Sequence, residues 1–216
     1  MHSAMIESAE SMKSAGKFDE ASALFQKLYE TGDTNSLIDM GDIYFNQGRG
    51  IAQKSDKDTT ARAAFRKAAT YYLKFAELKP ADTMAVYNAA VCYLNAGEGT
   101  GLAAIVGRML ARKPYDAELH GMLQTAHYFN KNQNGVVAEK LATDALTQGT
   151  MSVGPPKKPL ATTDAGKTLA RLGPPDRVYS LLQNKIQCSV YFYCSKSELY
   201  VFFDDQNVRK SSWAAH

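Results

Sequence analysis

Residues 81–116 read ADTMAVYNAAVCYLNAGEGTGLAAIVGRMLARKPYD. This stretch describes two short helices folded back on each other. Ala89, Ala90 and Tyr93 mark the first helix. Gly97, Gly99 and Gly101 crowd the turn, and Leu102, Val106 and Met109 recur at i, i+4 and i+7 along the second helix. Pro114 stops that helix, since proline cannot continue one.

With Gly97 and Pro114 as the register, the pattern extends in both directions. AGKFDEASALFQKLYETGD places Gly16 at a turn and Ala21, Phe25 and Leu28 along a second helix. NSLIDMGDIYFNQG supplies Met40, Gly41, Tyr44 and Gly48 of a first helix. Its partner stripe, Ala68, Tyr72 and Phe75, returns fifteen residues later than the spacing asks and ends at Pro80. The intervening GIAQKSDKDTT reads as a polar, solvated loop, or else as a lip that touches a partner. Downstream, AELHGMLQTAHYFNKNQNGVVAEKLATDALTQG makes a fourth pair, with Leu123, His127 and Tyr128, then Val137, Leu141 and Ala145, and Gly149 as its stop. Small residues such as Gly41 and Ala90 let helix backbones approach. Large ones such as Phe25, Tyr44, Tyr72 and Tyr93 fill the space between them.

The spacings from Ala90 to Gly97 and from Gly97 to Pro114 resemble those of a tetratricopeptide (TPR) repeat. Residues 40–72, MGDIYFNQGRGIAQKSDKDTTARAAFRKAATYY, also resemble a Sel-like repeat, with its Gly–Tyr pair, GRG turn and AxxxFxKAA helix. The resemblance implies that residues 1–147 stack helical hairpins into a solenoid with a curved inner face. It places Ile38, Asp42 and Phe45, then Tyr87, Asn88, Val91, Leu94 and Asn95, then Thr125 and Tyr128, on first helices lining the concave side. Apolar and aromatic residues flanked by amides suit a polypeptide segment, with Asn88 bonding its backbone. The alternative is that the C-terminal module folds back over this face. NAAVCY around Asn88 is similar to the second repeat of TPR receptors for chaperone tails, which grip a terminal carboxylate with Asn and Lys together. Here Asp42 stands where the earlier Asn belongs and the basic partners are missing, which argues against that clamp.

After the helices, TQGTMSVGPPKKPLATT has no periodicity and reads as a linker, placed at 148–160. DAGKTLARLGPPDRVYSLLQ opens with a short helix ended by Gly173, Pro174 and Pro175, and a helical or extended segment follows. The period then becomes two. Ile186, Cys188, Val190 and Phe192 alternate with Gln187, Ser189, Tyr191 and Tyr193, and Leu199, Val201 and Phe203 alternate with Tyr200 and Phe202. Residues 208–213 make a third strand after a turn at 205–207. Aromatic residues on both faces imply that one face packs on a helix and the other is partly covered. Residues 161–216 resemble the BamE/SmpA-like lipoprotein family, through Leu172, Gly173, Pro175 and Val178 and the ending ELYVFFDDQNV. That family is a helix–helix–three-strand module of bacterial outer-membrane assembly, so the resemblance implies a structural subunit of a cell-envelope complex as the alternative to a binding scaffold. The fold class expected is α+β: about four helical hairpins in a solenoid, followed by a small helix and an antiparallel β-meander.

The charge of +3 is too small to argue nucleic-acid binding. Residues 148–216 carry nine Lys/Arg against five Asp/Glu, so the tail is mildly basic. No apolar run is long enough to span a membrane. No signal-peptide core opens the chain, which reads as cytoplasmic, or as periplasmic if a signal was removed. Three cysteines do not make a disulfide framework, and Cys188 and Cys194 on one strand would lie about 20 Å apart. ATTDAGKT (161–168) and LYVFFDD (199–205) imitate a phosphate loop and a magnesium-holding strand. The first glycine is missing, however, and Pro155, Pro156 and Pro159 occupy the place of the preceding strand. His2, His120, His127 and His216 have no metal-ligand spacing, and His127 reads as a core histidine. The sequence therefore points to a non-enzymatic binding protein without cofactor or metal. It leaves the oligomeric state and the identity of the protein partner open.

Overall fold

The computed structural model of the protein describes residues 2–55, 58–151 and 159–213. Its internal contacts divide the chain into two units, Met1–Glu98 and Gly99–His216.

The first unit holds α1 (His2–Ser14), α2 (Phe18–Glu30), α3 (Ser36–Ala52), α4 (Thr59–Leu78) and α5 (Thr83–Ala96), each packed on the next. Phe25, Leu28, Leu37, Met40, Ile43 and Phe75 are buried together in its main core. Two glycines of α3 set the distance to α4. A Cβ on Gly41 would lie 2.7 Å from the Tyr72 ring, and one on Gly48 would lie 2.9 Å from the Phe65 ring. Gly48, Arg49 and Gly50 are therefore helical here and do not form the turn expected at GRG. The fifteen extra residues go mainly into length: α3 runs for 17 residues and α4 for 20. What remains of the expected loop is a short connection at 53–58, and Asp56 and Lys57 lie outside the described residues.

The second unit continues with α6 (Gly99–Leu110), α7 (Ala117–Phe129) and α8 (Gln133–Gln148), again packed in succession. The chain then forms β1 (Thr150–Met151), α9 (Asp164–Leu172), β2 (Arg177–Gln183), β3 (Ile186–Tyr193), β4 (Glu198–Phe203) and β5 (Gln206–Ser212). The strands make one antiparallel sheet in chain order. Two hairpins close through two-residue turns whose central residues are left-handed: Asn184 and Lys185 (φ 50° and 68°), then Asp204 and Asp205 (φ 48° and 62°). Asn and Asp tolerate that backbone, which matches the twist of paired strands. The segment after Pro175 is strand β2, where the envelope-lipoprotein resemblance implies a second helix.

Alternation along the strands sorts the sheet into two buried faces. Val178, Tyr191, Tyr193, Tyr200 and Phe202 pack with Ala165, Leu169 and Leu172 of α9. Cys188, Val190, Phe192, Leu199 and Val201 are buried on the other face, where α8 crosses the strands and the Phe192 ring meets Tyr115 and His120 edge-on at 5.5 and 5.6 Å. The second unit is thus one body in which α8 is both a helical-hairpin member and a sheet cover. The unit boundary falls at Glu98/Gly99, inside the helical series, and not at the expected 148–160 linker. Thr150 and Met151 of that segment are strand, while 152–158, with Pro155 and Pro156, lie outside the described residues.

The hairpin turns repeat the same chemistry. Asp82 caps α5 by accepting from the Met84 and Ala85 amides (2.9 and 3.1 Å), and Asp116, 34 residues on, caps α7 through Glu118 and Leu119 (3.1 and 3.2 Å). Gly97 ends α5 left-handed (φ 70°), and Lys131, again 34 residues on, does the same beyond α7 (φ 58°). In each, the left-handed residue and its successor donate back to carbonyls three and five residues earlier.

Candidate functional site

α3 presents Ile38, Asp42 and Phe45 on one stripe at i, i+4 and i+7, and all three are half-buried. Leu37, Met40, Gly41 and Ile43 form the fully buried side of the same helix. Ile38 still leans on the main core, and Phe45 meets Phe65 edge-on at 5.6 Å. α5 carries Tyr87, Asn88, Val91 and Leu94 half-buried and Asn95 exposed, while Ala85, Ala89, Ala90, Cys92 and Ala96 are buried. The Asn95 amide turns back to the Val91 carbonyl at 2.7 Å.

Asp42 has structural work of its own. The Tyr72 hydroxyl of α4 donates to it at 2.5 Å. Burial and then this carboxylate raise the Tyr72 phenol well above its ordinary value. Burial and the same charge push the Cys92 thiol of α5 up to about 12, so Cys92 stays a neutral, inert packing group. Next along α3, Asp39 meets the Lys13 ammonium of α1 at 3.1 Å, and Lys13 also reaches Glu10 at 3.2 Å. Burial is the leading reason that Asp39 is raised above the usual carboxylate range, and nearby Glu10 adds to it against the pull of Lys13. The one cation of α1 is therefore committed to carboxylates.

The last two expected site residues, Thr125 and Tyr128, lie on α7 in the second unit. Thr125 donates to the Gly121 carbonyl at 3.1 Å, and Tyr128 is 65 % exposed beside the Phe129 ring. Within that unit an open groove of about 700 Å³ runs between Lys140, Asp144 and Gln148 of α8 and the β2–β3 hairpin at Leu182, Asn184 and Gln187. Its two charges pair with each other at 2.6 Å.

The segment resembling a phosphate loop does open a helix, but the amides there are occupied. Ala165 donates to the Asp205 carbonyl (3.1 Å) and Gly166 to the Thr163 hydroxyl (3.1 Å). A Cβ on Gly166 would lie 2.1 Å from the Leu160 carbonyl. Asp204 and Asp205 are turn residues. Among the described residues no three His, Cys, Asp or Glu side chains group as metal ligands, Cys92, Cys188 and Cys194 are free, and no helix is long and apolar enough to cross a membrane.

Sequence reasoning missed the strongest electrostatic feature. His120 of α7 and Glu139 of α8 are fully buried, with His120 Nδ1 2.5 Å from Glu139 Oε2 and Nε2 2.9 Å from the Pro114 carbonyl. The available signal was Glu139 itself, a charge on the otherwise apolar Gly135, Ala138, Ala142 and Ala145 stripe. That stripe also turns Val137 outward, where it is 37 % exposed.

No protein-family model matches the chain, and no curated protein matches it.

Proposed function

We propose that the protein is a non-enzymatic interaction scaffold that binds a polypeptide segment through the α3/α5 face. The observation that carries this reading is the composition of α5. No Asp, Glu, Lys, Arg or His occurs in Thr83–Ala96. The helix places alanines and Cys92 on its buried side and keeps the larger Val91 and Leu94 half-buried, with Met84 64 % exposed. A helix that saves its larger apolar side chains for partly exposed positions offers contact area that its own fold does not use. Asn88 supplies an amide that can pair with a peptide group in both directions. Asp42 contributes negative charge and α5 no cation, so the ligand is an internal or cation-bearing segment and not a terminal carboxylate.

Peptides selected from a random displayed library on the full chain test this. Binding is expected to weaken about tenfold or more in Tyr87→Ala/Asn88→Ala and to be unchanged in Leu182→Asp, which alters the exposed β2–β3 hairpin. The opposite pattern would favour docking through residues 161–216, the envelope-subunit reading.

A further inference from the structure

Two histidines seven residues apart on α7 are wired in opposite senses. His120 Nδ1 lies 2.5 Å from Glu139 Oε2 and Nε2 lies 2.9 Å from the Pro114 carbonyl, so against a Glu139 carboxylate both nitrogens donate and the ring is an imidazolium. Burial works against that charge, but Glu139 and the Pro114 carbonyl, with Asp116 beyond, outweigh it and hold the proton above the ordinary imidazole range.

At His127 the wiring follows from a helix cap. Asn132 Oδ1 accepts from the Gly135 amide at 3.1 Å, as the cap of α8. The amide nitrogen of Asn132 is therefore the atom 3.2 Å from His127 Nδ1, and it donates there. Nδ1 is an acceptor without a proton, and Nε2 donates to the Ser211 hydroxyl of β5 at 2.9 Å. A second proton could enter only at Nδ1, against the Asn132 NH₂. Turning that amide to present its oxygen would take the acceptor away from Gly135. The ring cannot step aside, because Gly135 lies against it so closely that a Cβ there would be 2.5 Å from the ring. Burial lowers the proton affinity of His127, and Glu139 only partly offsets this. The other charged groups on the packed elements are exposed or engaged: Arg108 on α6, Lys140 with Asp144 on α8, Lys210 with Glu198, and Arg209 on its own strand.

We propose that His127 is an acid-triggered release for α8: its protonation and the Asn132 cap exclude each other, so acidification uncaps α8 and opens the α7–α8 turn while His120 keeps its proton throughout. The linkage has a distinctive form. Below about pH 6.5, where free imidazole is protonated, the unfolded chain binds a proton that folded His127 refuses, so stability rises with pH. Above it, folded His120 keeps a proton that the unfolded chain has lost, so stability falls. Each limb changes the folding equilibrium by up to about tenfold per pH unit.

Histidine side-chain NMR on the full chain between about pH 4.5 and about pH 9, bracketing the ordinary imidazole value, with exchange of the Gly135 amide followed in parallel, tests the proposal. His127 is expected to titrate below about pH 6.5 with Gly135 protection, referred to the intrinsic exchange rate at each pH, falling across the same midpoint. Asn132→Asp, which keeps the cap but turns the Nδ1 neighbour into an acceptor, is expected to raise the His127 midpoint and remove the loss of protection. A His127 midpoint at or above the ordinary value, Gly135 protection unchanged through it, or an unmoved midpoint in Asn132→Asp would overturn the proposal.

Discussion

The two units handle buried polarity in opposite ways. In Met1–Glu98 the charged bridges sit at half-buried positions, Lys13 between Glu10 and Asp39, and Asp42 under the Tyr72 hydroxyl. Water still reaches these groups, so helices joined this way need only apolar faces and spacing glycines. In Gly99–His216 the same kind of helices must also cover a sheet, and an ion pair is sealed between α7 and α8 with no exposure on either side chain. Glu139 Oε1 and the Trp213 indole N–H find no partner among the described residues. The difference shows that a helical hairpin turned toward a sheet loses the wet flank on which charges are usually placed.

The largest expected effect tests that contrast directly. Glu139→Ala leaves the His120 imidazolium buried without its partner and is expected to cost about 3–5 kcal/mol in urea unfolding. The double change His120→Leu/Glu139→Leu is expected to recover most of that loss. Tyr72→Phe, the corresponding break in the first unit, is expected to cost about 1 kcal/mol because Asp42 keeps access to water. Equal costs for the two breaks would erase the distinction between the units.

Close packing gives the next effect. Gly107→Ala puts a Cβ 2.4 Å from the Trp213 carbonyl oxygen, a backbone atom fixed to Ser197 by the Trp213 amide. A cost of about 1–3 kcal/mol is expected, with a shift in the fluorescence of the single tryptophan. The smallest effect compares the two turns that lie 34 residues apart. Gly97→Ala is expected to lose, and Lys131→Gly to gain, about 0.5–1 kcal/mol in thermal unfolding, because both positions are left-handed. A loss on Lys131→Gly would show that the Lys131 side chain contributes more than its backbone costs.

Much of this architecture was legible because local chemistry and tertiary need agree. Pro80 and Pro114 follow helices, Asp82 and Asp116 cap the next ones, and the alternation from Ile186 to Phe203 sorts into the two observed sheet faces. The GRG segment is ambiguous in sequence because glycine marks both turns and close helix contacts, and only the Phe65 ring over Gly48 decides between them. The segment after Pro175 is ambiguous in sequence because RVYSLLQ has no clear period, and pairing with β3 makes it a strand. Glu139 escaped notice because its partner is 19 residues away on another helix. Of the candidate face, the half-buried stripes on α3 and α5 could be read from helical spacing. The use of Asp42 by Tyr72 could not, since it depends on how closely Gly41 lets α4 approach.

The central functional claim is that α3 and α5 hold a polypeptide. Hydrogen–deuterium exchange of the full chain, with and without a saturating library-selected peptide, tests it most directly. Added protection concentrated in residues 36–52 and 83–96 is the predicted result. Protection confined to residues 164–212, with α3 and α5 unchanged, would contradict it.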